Sequence, residues 1–179
     1  MRTFWANGYE STSLADLMAA TGLHKGSLYQ TFGDKRSLFL KALKRYLDDM
    51  MSQELAIFRN AATPLDALKE SAHALVEMNG DSPDCPMGCL AVNTLVEMAP
   101  HDEEIQKILG DHVSGMRKVI QQTFADAQAA GQVRSDQSPE LMTSLMMTFV
   151  AGLSTNIKGL IDKSQAHELV DAQLNSFLA

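Results

Sequence analysis

Apolar residues recur along this chain at helical spacing, interrupted by cap and stop signals. "STSLADLMAATG", residues 11–22, puts Leu14, Leu17 and Met18 on one side of a short helix, with Thr12 or Ser13 as its hydroxyl cap and Gly22 as its stop. A second short helix fits His24 to about Thr31. Asp34 then caps a longer one whose apolar positions 39, 43, 46 and 50 hold one face. Thr63-Pro64 opens the next in the cap-plus-proline pattern, and Gly80 closes it. Residues 81–86, "DSPDCP", read as a loop, and a helix from about Met87 to Met98 ends at Pro100. Asp102 caps a helix with Ile105, Ile108, Leu109, His112, Val113, Met116, Val119 and Ile120 on its inner face. Ser138-Pro139 opens a long apolar helix to about Ile161, and "SQAHELVDAQLNSFL" makes the last. No alternating β-branched run persists, so no strand is predicted. The pattern describes an all-α chain of about eight helices plus a fragment of one before them.

Charge divides this pattern in two. The chain of 179 residues has a formal charge of −7. Residues 1–47 nevertheless carry seven bases against three acids, while residues 48–179 carry eight against nineteen. A basic head on an acidic body points to an anionic partner at one end. The boundary is placed near residue 47, inside the helix that starts at Lys35. It is marked by charge and by no linker.

The apolar content of 45% supports a sizeable core, and the abundant methionine suits an adaptable helical interior. No run of eighteen apolar residues and no signal peptide are visible, and two cysteines make no disulfide framework, which together favour a soluble cytoplasmic protein with no membrane partner.

Two short helices about a turn at Gly22 suggest a helix-turn-helix, in which the second helix enters the major groove of DNA. The residue types suit that chemistry. Thr12 and Ser13 can donate to phosphate at a helix N-terminus. Lys25 can reach a phosphate or a guanine edge. Gly26 leaves room for the DNA backbone, Ser27 and Tyr29 offer hydroxyls on the same surface, and Lys35 can grip a phosphate across the groove. Leu23 and Leu28 are expected to face inward and join the two helices.

These residues carry a resemblance. "GYESTSLADLMAATGLHKGSLYQTFGDKRSLF" resembles the DNA-binding domain of the TetR family of transcriptional regulators. The matching elements are Gly8-Tyr9, the hydroxyls at 12 and 13, Ala20-x-Gly22, Lys25-Gly26-Ser27-x-Tyr29 and Phe32-x-x-Lys35-x-x-Leu38-Phe39. The resemblance implies an all-helical homodimer, with a three-helix DNA-binding head in residues 1–47 and a ligand-binding and dimerisation body in residues 48–179. It implies a regulator, most often a repressor released from operator DNA by a small hydrophobic ligand, and no catalytic cofactor. The alternative is a chromosome-organising or division-linked protein of the same fold. The DNA-contacting set it marks is Thr12, Ser13, His24, Lys25, Gly26, Ser27, Tyr29, Gln30, Thr31 and Lys35. The sequence departs from the family in two places. The first helix, before Gly8-Tyr9, has only about its final turn, and Thr31 stands where many members carry a histidine or another larger residue.

In the body, Asn93 and Glu97 share a helix face at i, i+4 and are the leading polar anchors for a ligand, with His73, His112 and Met116 beside them as candidates. Each also reads as an ordinary core or surface residue. Cys85 and Cys89 can be a thiolate sensor near a helix N-terminus, or simply incidental; their spacing matches no zinc pattern. Leu141, Leu145, Phe149, Val150, Leu153, Ile157, Leu160 and Ile161 exceed what one helix side needs, which suggests a subunit interface built as a four-helix bundle, with Phe149, Val150, Leu153, Ile157 and Leu160 as its candidate residues. No Ser-His-Asp set, paired carboxylate site, phosphate loop or metal cluster stands out, so no enzyme is expected.

Overall fold

The computed structural model describes residues 1–78 and 88–179. The described residues form α1 (Arg2–Asn7), α2 (Leu14–Thr21), α3 (Lys25–Phe32), α4 (Lys35–Asn60), α5 (Pro64–Glu77), α6 (Leu90–Glu97), a short 3₁₀ turn (Ala99–His101), α7 (Glu103–Ala129), α8 (Pro139–Asn156) and α9 (Lys163–Asn175). The only sheet-like pairing among them is one bridge between Val133 and Leu178.

Local chemistry sets where the helices start. Ser13 and Asp16 form a reciprocal capping box at α2, and Asp162 and Gln165 form another at α9. Asp34, Thr63, Asp102 and Ser138 each accept a backbone N–H in the first turn of the helix that follows them. Gly22 ends α2 in the left-handed conformation, φ +69°, which turns the chain into α3. The α8 helix stops at Asn156, short of the expected Ile161. There the Asn156 carbonyl collects the N–H groups of Gly159, Leu160 and Ile161, and the chain turns at Gly159 before Asp162 restarts it. The predicted closure of α5 at Gly80 and the start of α6 at Met87 lie outside the described residues; α5 runs to Glu77 and α6 begins at Leu90.

Two apolar cores hold these helices. One joins Phe4, Leu17, Leu28, Phe39, Leu43, Tyr46 and Leu47 to Leu90, Ala99, Ile105 and Leu109. Phe4 and Phe39 meet edge to face at 5.1 Å inside it. The other joins Leu68, Ala72, Val76, Phe124, Ala127, Met142, Met146, Leu153, Ile157, Val170, Leu174 and Phe177. The first core therefore crosses residue 47 and runs on into α6 and the start of α7. Charge changes at that position, whereas packing does not. Leu28 is fully buried as expected, but Leu23 is 37% exposed, because the turn after Gly22 swings it out of the α2–α3 contact.

Candidate nucleic-acid interface

The α3 helix presents one open face. His24, its N-cap residue, together with Lys25, Gly26, Ser27, Gln30 and Thr31, is exposed, while Leu28 pins the opposite face to the core. The Lys25 ammonium lies 5.9 Å from the Tyr29 ring centroid, and that of Lys41 lies 5.4 Å from the Phe32 ring. Both charges stay at the surface on apolar supports. A Cβ placed on Gly26 would meet no protein atom within 4 Å. Nothing inside the molecule requires glycine there; the space it leaves faces outward.

Three expected contacts sit differently. Thr12 is completely buried and its hydroxyl donates to the Gly8 carbonyl at 2.6 Å, so it braces the turn after α1 and is closed to phosphate. The Ser13 hydroxyl is exposed but donates to the Asp16 carboxylate and accepts the Asp16 N–H, as caps do. Hydrogen bonds from the Ser13 hydroxyl and from the Ser13 backbone N–H hold the Asp16 carboxyl below its ordinary range, so the cap carries a negative charge at neutral pH. Lys35 donates to the Glu10 carbonyl at 3.2 Å and lies 4.6 Å from the Tyr9 ring, which fastens the start of α4 to the segment after α1.

The head is tied to the body by contacts far apart in sequence. The Glu97 carboxylate, on α6, accepts the backbone N–H groups of Tyr9 and Glu10, both at 2.9 Å. Arg36 bridges Asp102 at 2.8 Å and Glu104 at 2.7 Å. Those hydrogen bonds, with Asp102 first, raise the guanidinium pKa, and the Arg36 bond lowers that of Asp102. The Trp5 indole N–H donates to the Gly88 carbonyl at 3.2 Å, and its ring meets Tyr46 edge to face at 5.0 Å. None of these pairings follows a local spacing rule, and the sequence reading missed them as a group. The clue available was a polar residue on an otherwise apolar helix.

The ligand candidates do not converge. Glu97 is spent on the head, and Asn93 accepts a hydrogen bond from Lys158 at 3.1 Å near the end of α8. The i, i+4 pair is thus split between two neighbours. His73 lies on the outer α5–α9 seam. His112 and Met116 share the middle of α7, half-buried, where burial lowers the imidazole pKa and Asp48 opposes it. Across from them the methyl of Met51 reaches within 3.1 Å of where a Cβ on Gly115 would stand. A buried carboxylate that the sequence did not flag, Glu54, accepts the Ser71 hydroxyl at 2.6 Å between α4 and α5; burial pushes its pKa up.

The expected interface residues also divide. Leu153 and Ile157 are buried in their own subunit's core, Phe149 and Val150 pack half-buried against it, and Leu160 is 77% exposed. Leu141 and Leu145 on α8 and Leu169 on α9 are also exposed, beside a groove of about 220 Å³ lined by Phe149, Gly152, Asn156 and Ile161 among others. Cys85 lies outside the described residues. Cys89 is a free thiol at the N-cap of α6 and accepts a hydrogen bond from the Tyr46 hydroxyl at 3.4 Å. Among the described residues no group of three or more His, Cys, Asp or Glu is arranged to hold a metal ion, and no helix is long and apolar enough to cross a membrane.

A three-helix head whose third helix, α3, is exposed and opens with Lys25, mounted on a helical body, is the architecture of a helix-turn-helix DNA-binding regulator. Comparison with known proteins places it more closely. Residues 1–42 match the family described as bacterial regulatory proteins, tetR family, and residues 64–173 match the tetracyclin repressor-like C-terminal domain. The chain belongs to the TetR family of bacterial regulatory proteins. It is 29% identical over 88% of its length to the HTH-type transcriptional repressor ComR of Escherichia coli K12, covering 75% of that protein. It is 25% identical over 90% of its length to the uncharacterised regulator YezE of Bacillus subtilis 168, covering 87% of it. Among solved structures, a cysteine-substituted form of the TetR family regulator CifR, in complex with 26-bp double-strand operator DNA, matches with a TM-score of 0.84 at 25% identity over 98% of this chain and 91% of that one. A TetR-family regulator from Agrobacterium tumefaciens shares the fold at a TM-score of 0.89 and 17% identity, over 99% of this chain and 93% of that one.

Proposed function

We propose that this protein is a transcriptional repressor that binds operator DNA through α3 and leaves it when a small hydrophobic ligand enters the body. The observation that carries the DNA reading is Gly26. It lies on an exposed helix face beside Lys25, Ser27 and Gln30, with empty space where its side chain would be. A glycine that the fold does not use, amid residues suited to phosphates and base edges, fits a surface that another backbone approaches closely. CifR, which shares the fold and a quarter of the sequence, is seen on its operator.

The dimer belongs to the same reading. Leu141, Leu145 and Leu169, with the groove at Gly152, offer an apolar face on the last two helices for a second subunit, and two heads would then read two half-sites. Ligand release would run through α6. That helix holds the head through Glu97, so a ligand that shifts α6 moves the bond to Tyr9 and Glu10 with it. The candidate lining is the middle of α7 with His112 and Met116, faced by Met51 of α4 at Gly115.

Gly26→Ala tests the DNA reading. Alanine has the better helix propensity and open space around it, so the variant should melt no lower than the wild type. Its affinity for the operator should fall at least tenfold by fluorescence anisotropy. Wild-type affinity in a normally folded variant would remove α3 from the interface.

A further inference from the structure

Two histidines on the α5–α9 seam stand in an arrangement that neither DNA binding nor ligand release accounts for. The Nδ1 atoms of His73 and His167 face each other at 2.7 Å. Their other ring nitrogens face carboxylates. His73 Nε2 is 3.1 Å from Asp171, and His167 Nε2 is 2.8 Å from Glu77. Lys163 completes the row at 3.4 Å from Glu77.

Counting protons gives a definite answer. A carboxylate accepts only, so each Nε2 must carry the hydrogen it donates. In a neutral imidazole that leaves Nδ1 bare, and two bare lone pairs would then oppose each other at 2.7 Å. A single proton between them turns that repulsion into a charge-assisted hydrogen bond. A metal ion fits poorly, because two nitrogens about 2.0–2.1 Å from a tetrahedral zinc stand roughly 3.3 Å apart.

We propose that His73 and His167 share one proton, and that this proton makes the α5–α9 seam a pH-dependent clip. The bond-making is symmetrical about that single charge. Loss of the proton forces one ring to supply its own Nδ1–H and surrender its Nε2–H. The longer Asp171 contact then breaks, since a bare Nε2 faces a carboxylate. A second proton puts two Nδ1–H groups head to head with two positive charges. The clip is therefore closed in the singly protonated state and loosened on both sides of it.

Among the described residues, other charges flank the pair on its own two helices. On α5 the flanking ionisable residues are Lys69, Glu70 and Glu77, and on α9 they are Lys163, Glu168 and Asp171. From α4, Glu54 approaches the other side of α5 at Ser71. From α7 the contact with α5 is through Phe124 and Ala127, and α8 has no ionisable residue between Leu141 and Asn156.

Imidazole ¹⁵N NMR of the full chain from pH 5 to 8 tests this, alongside amide exchange of α9. One expected result is a pair of coupled titration steps more than one pH unit apart, with both Nε2 atoms protonated between them. The other is that α9 protection, corrected for intrinsic rates, falls about tenfold above the upper step, the loss of one charge-assisted bond. Asp171→Asn, which leaves the packing intact, should remove most of that pH dependence. Two rings titrating independently as a single step would overturn the proposal. So would zinc raising the Tm of the wild type but not of His167→Gln, since that would make the pair a metal site.

Discussion

Glu97 holds Tyr9: the carboxylate at the end of α6 accepts the Tyr9 N–H, and that of Glu10 beside it, at 2.9 Å each. These N–H groups follow α1 and precede α2, where no helix supplies them with a partner. One body side chain therefore completes the backbone of the DNA-binding head. Glu97→Gln keeps the shape but turns one acceptor into an N–H₂ that opposes an N–H. It should cost roughly 1–2 kcal/mol and raise amide exchange at Tyr9 and Glu10 before the body opens. Unchanged exchange there would mean that the head does not depend on the latch.

Gly8 shapes the same latch from the other side. Its φ is +81°, and a Cβ there would lie 3.0 Å from the Glu97 carboxylate. Gly8→Ala should thus combine backbone strain with displacement of Glu97, for a loss of about 1–3 kcal/mol in thermal or urea unfolding. A variant as stable as the wild type would contradict the fit described here.

Burial raises the Glu54 pKa, with the Ser71 hydrogen bond opposing it. A carboxyl with a raised folded-state pKa contributes stability below its unfolded value and loses it as pH rises through the folded one. Ionisation at neutral pH therefore works against the fold. Glu54→Gln can still accept from Ser71 and should raise the Tm at pH 7, with the gain shrinking as pH falls toward 4.5, the ordinary value for this group. A pH-independent difference would trace the effect to packing instead.

The Arg36–Asp102 pair has the opposite sign. Asp102 is held below its ordinary value of 3.8 by the Arg36 hydrogen bond and by α7 N–H groups. Its contribution is complete above that pH and is lost as pH falls below it. Asp102→Asn should narrow the gap between neutral and acid stability, and it should loosen the head relative to the body at pH 7. Melting curves at pH 3 and pH 7 measure the first effect.

Leu145 is 43% exposed on the face assigned to the second subunit. Leu145→Arg should leave the monomer's secondary structure unchanged by circular dichroism while weakening self-association at least tenfold in sedimentation. Dimers as tight as those of the wild type would move the interface elsewhere.

Much of this fold is legible in the sequence because its signals are local. Ser13, Asp34, Thr63, Asp102 and Ser138 announce their helices through side chains that bond to N–H groups only a few residues on. The open face of α3 is legible for the same reason, since helical spacing sets Gly26 and Gln30 opposite Leu28. The failures are non-local. Nothing near Glu97 says that its partners are 87 and 88 residues away, and nothing near Thr12 distinguishes a buried brace from a phosphate contact. On α8 the apolar residues form one set in sequence. Leu153 and Ile157 are as apolar as Leu141 and Leu145, and only packing decides which pair turns inward.

DNA recognition through α3 is open to a single titration. Fluorescence anisotropy of the protein against duplexes from the region flanking its own gene, and against a scrambled duplex, would be run at two salt concentrations. The account predicts specific binding that weakens steeply with salt, and a log–log salt slope that shrinks by about one unit in Lys25→Ala. Equal affinity for the scrambled duplex, or no binding by a folded dimer at low salt, would contradict it.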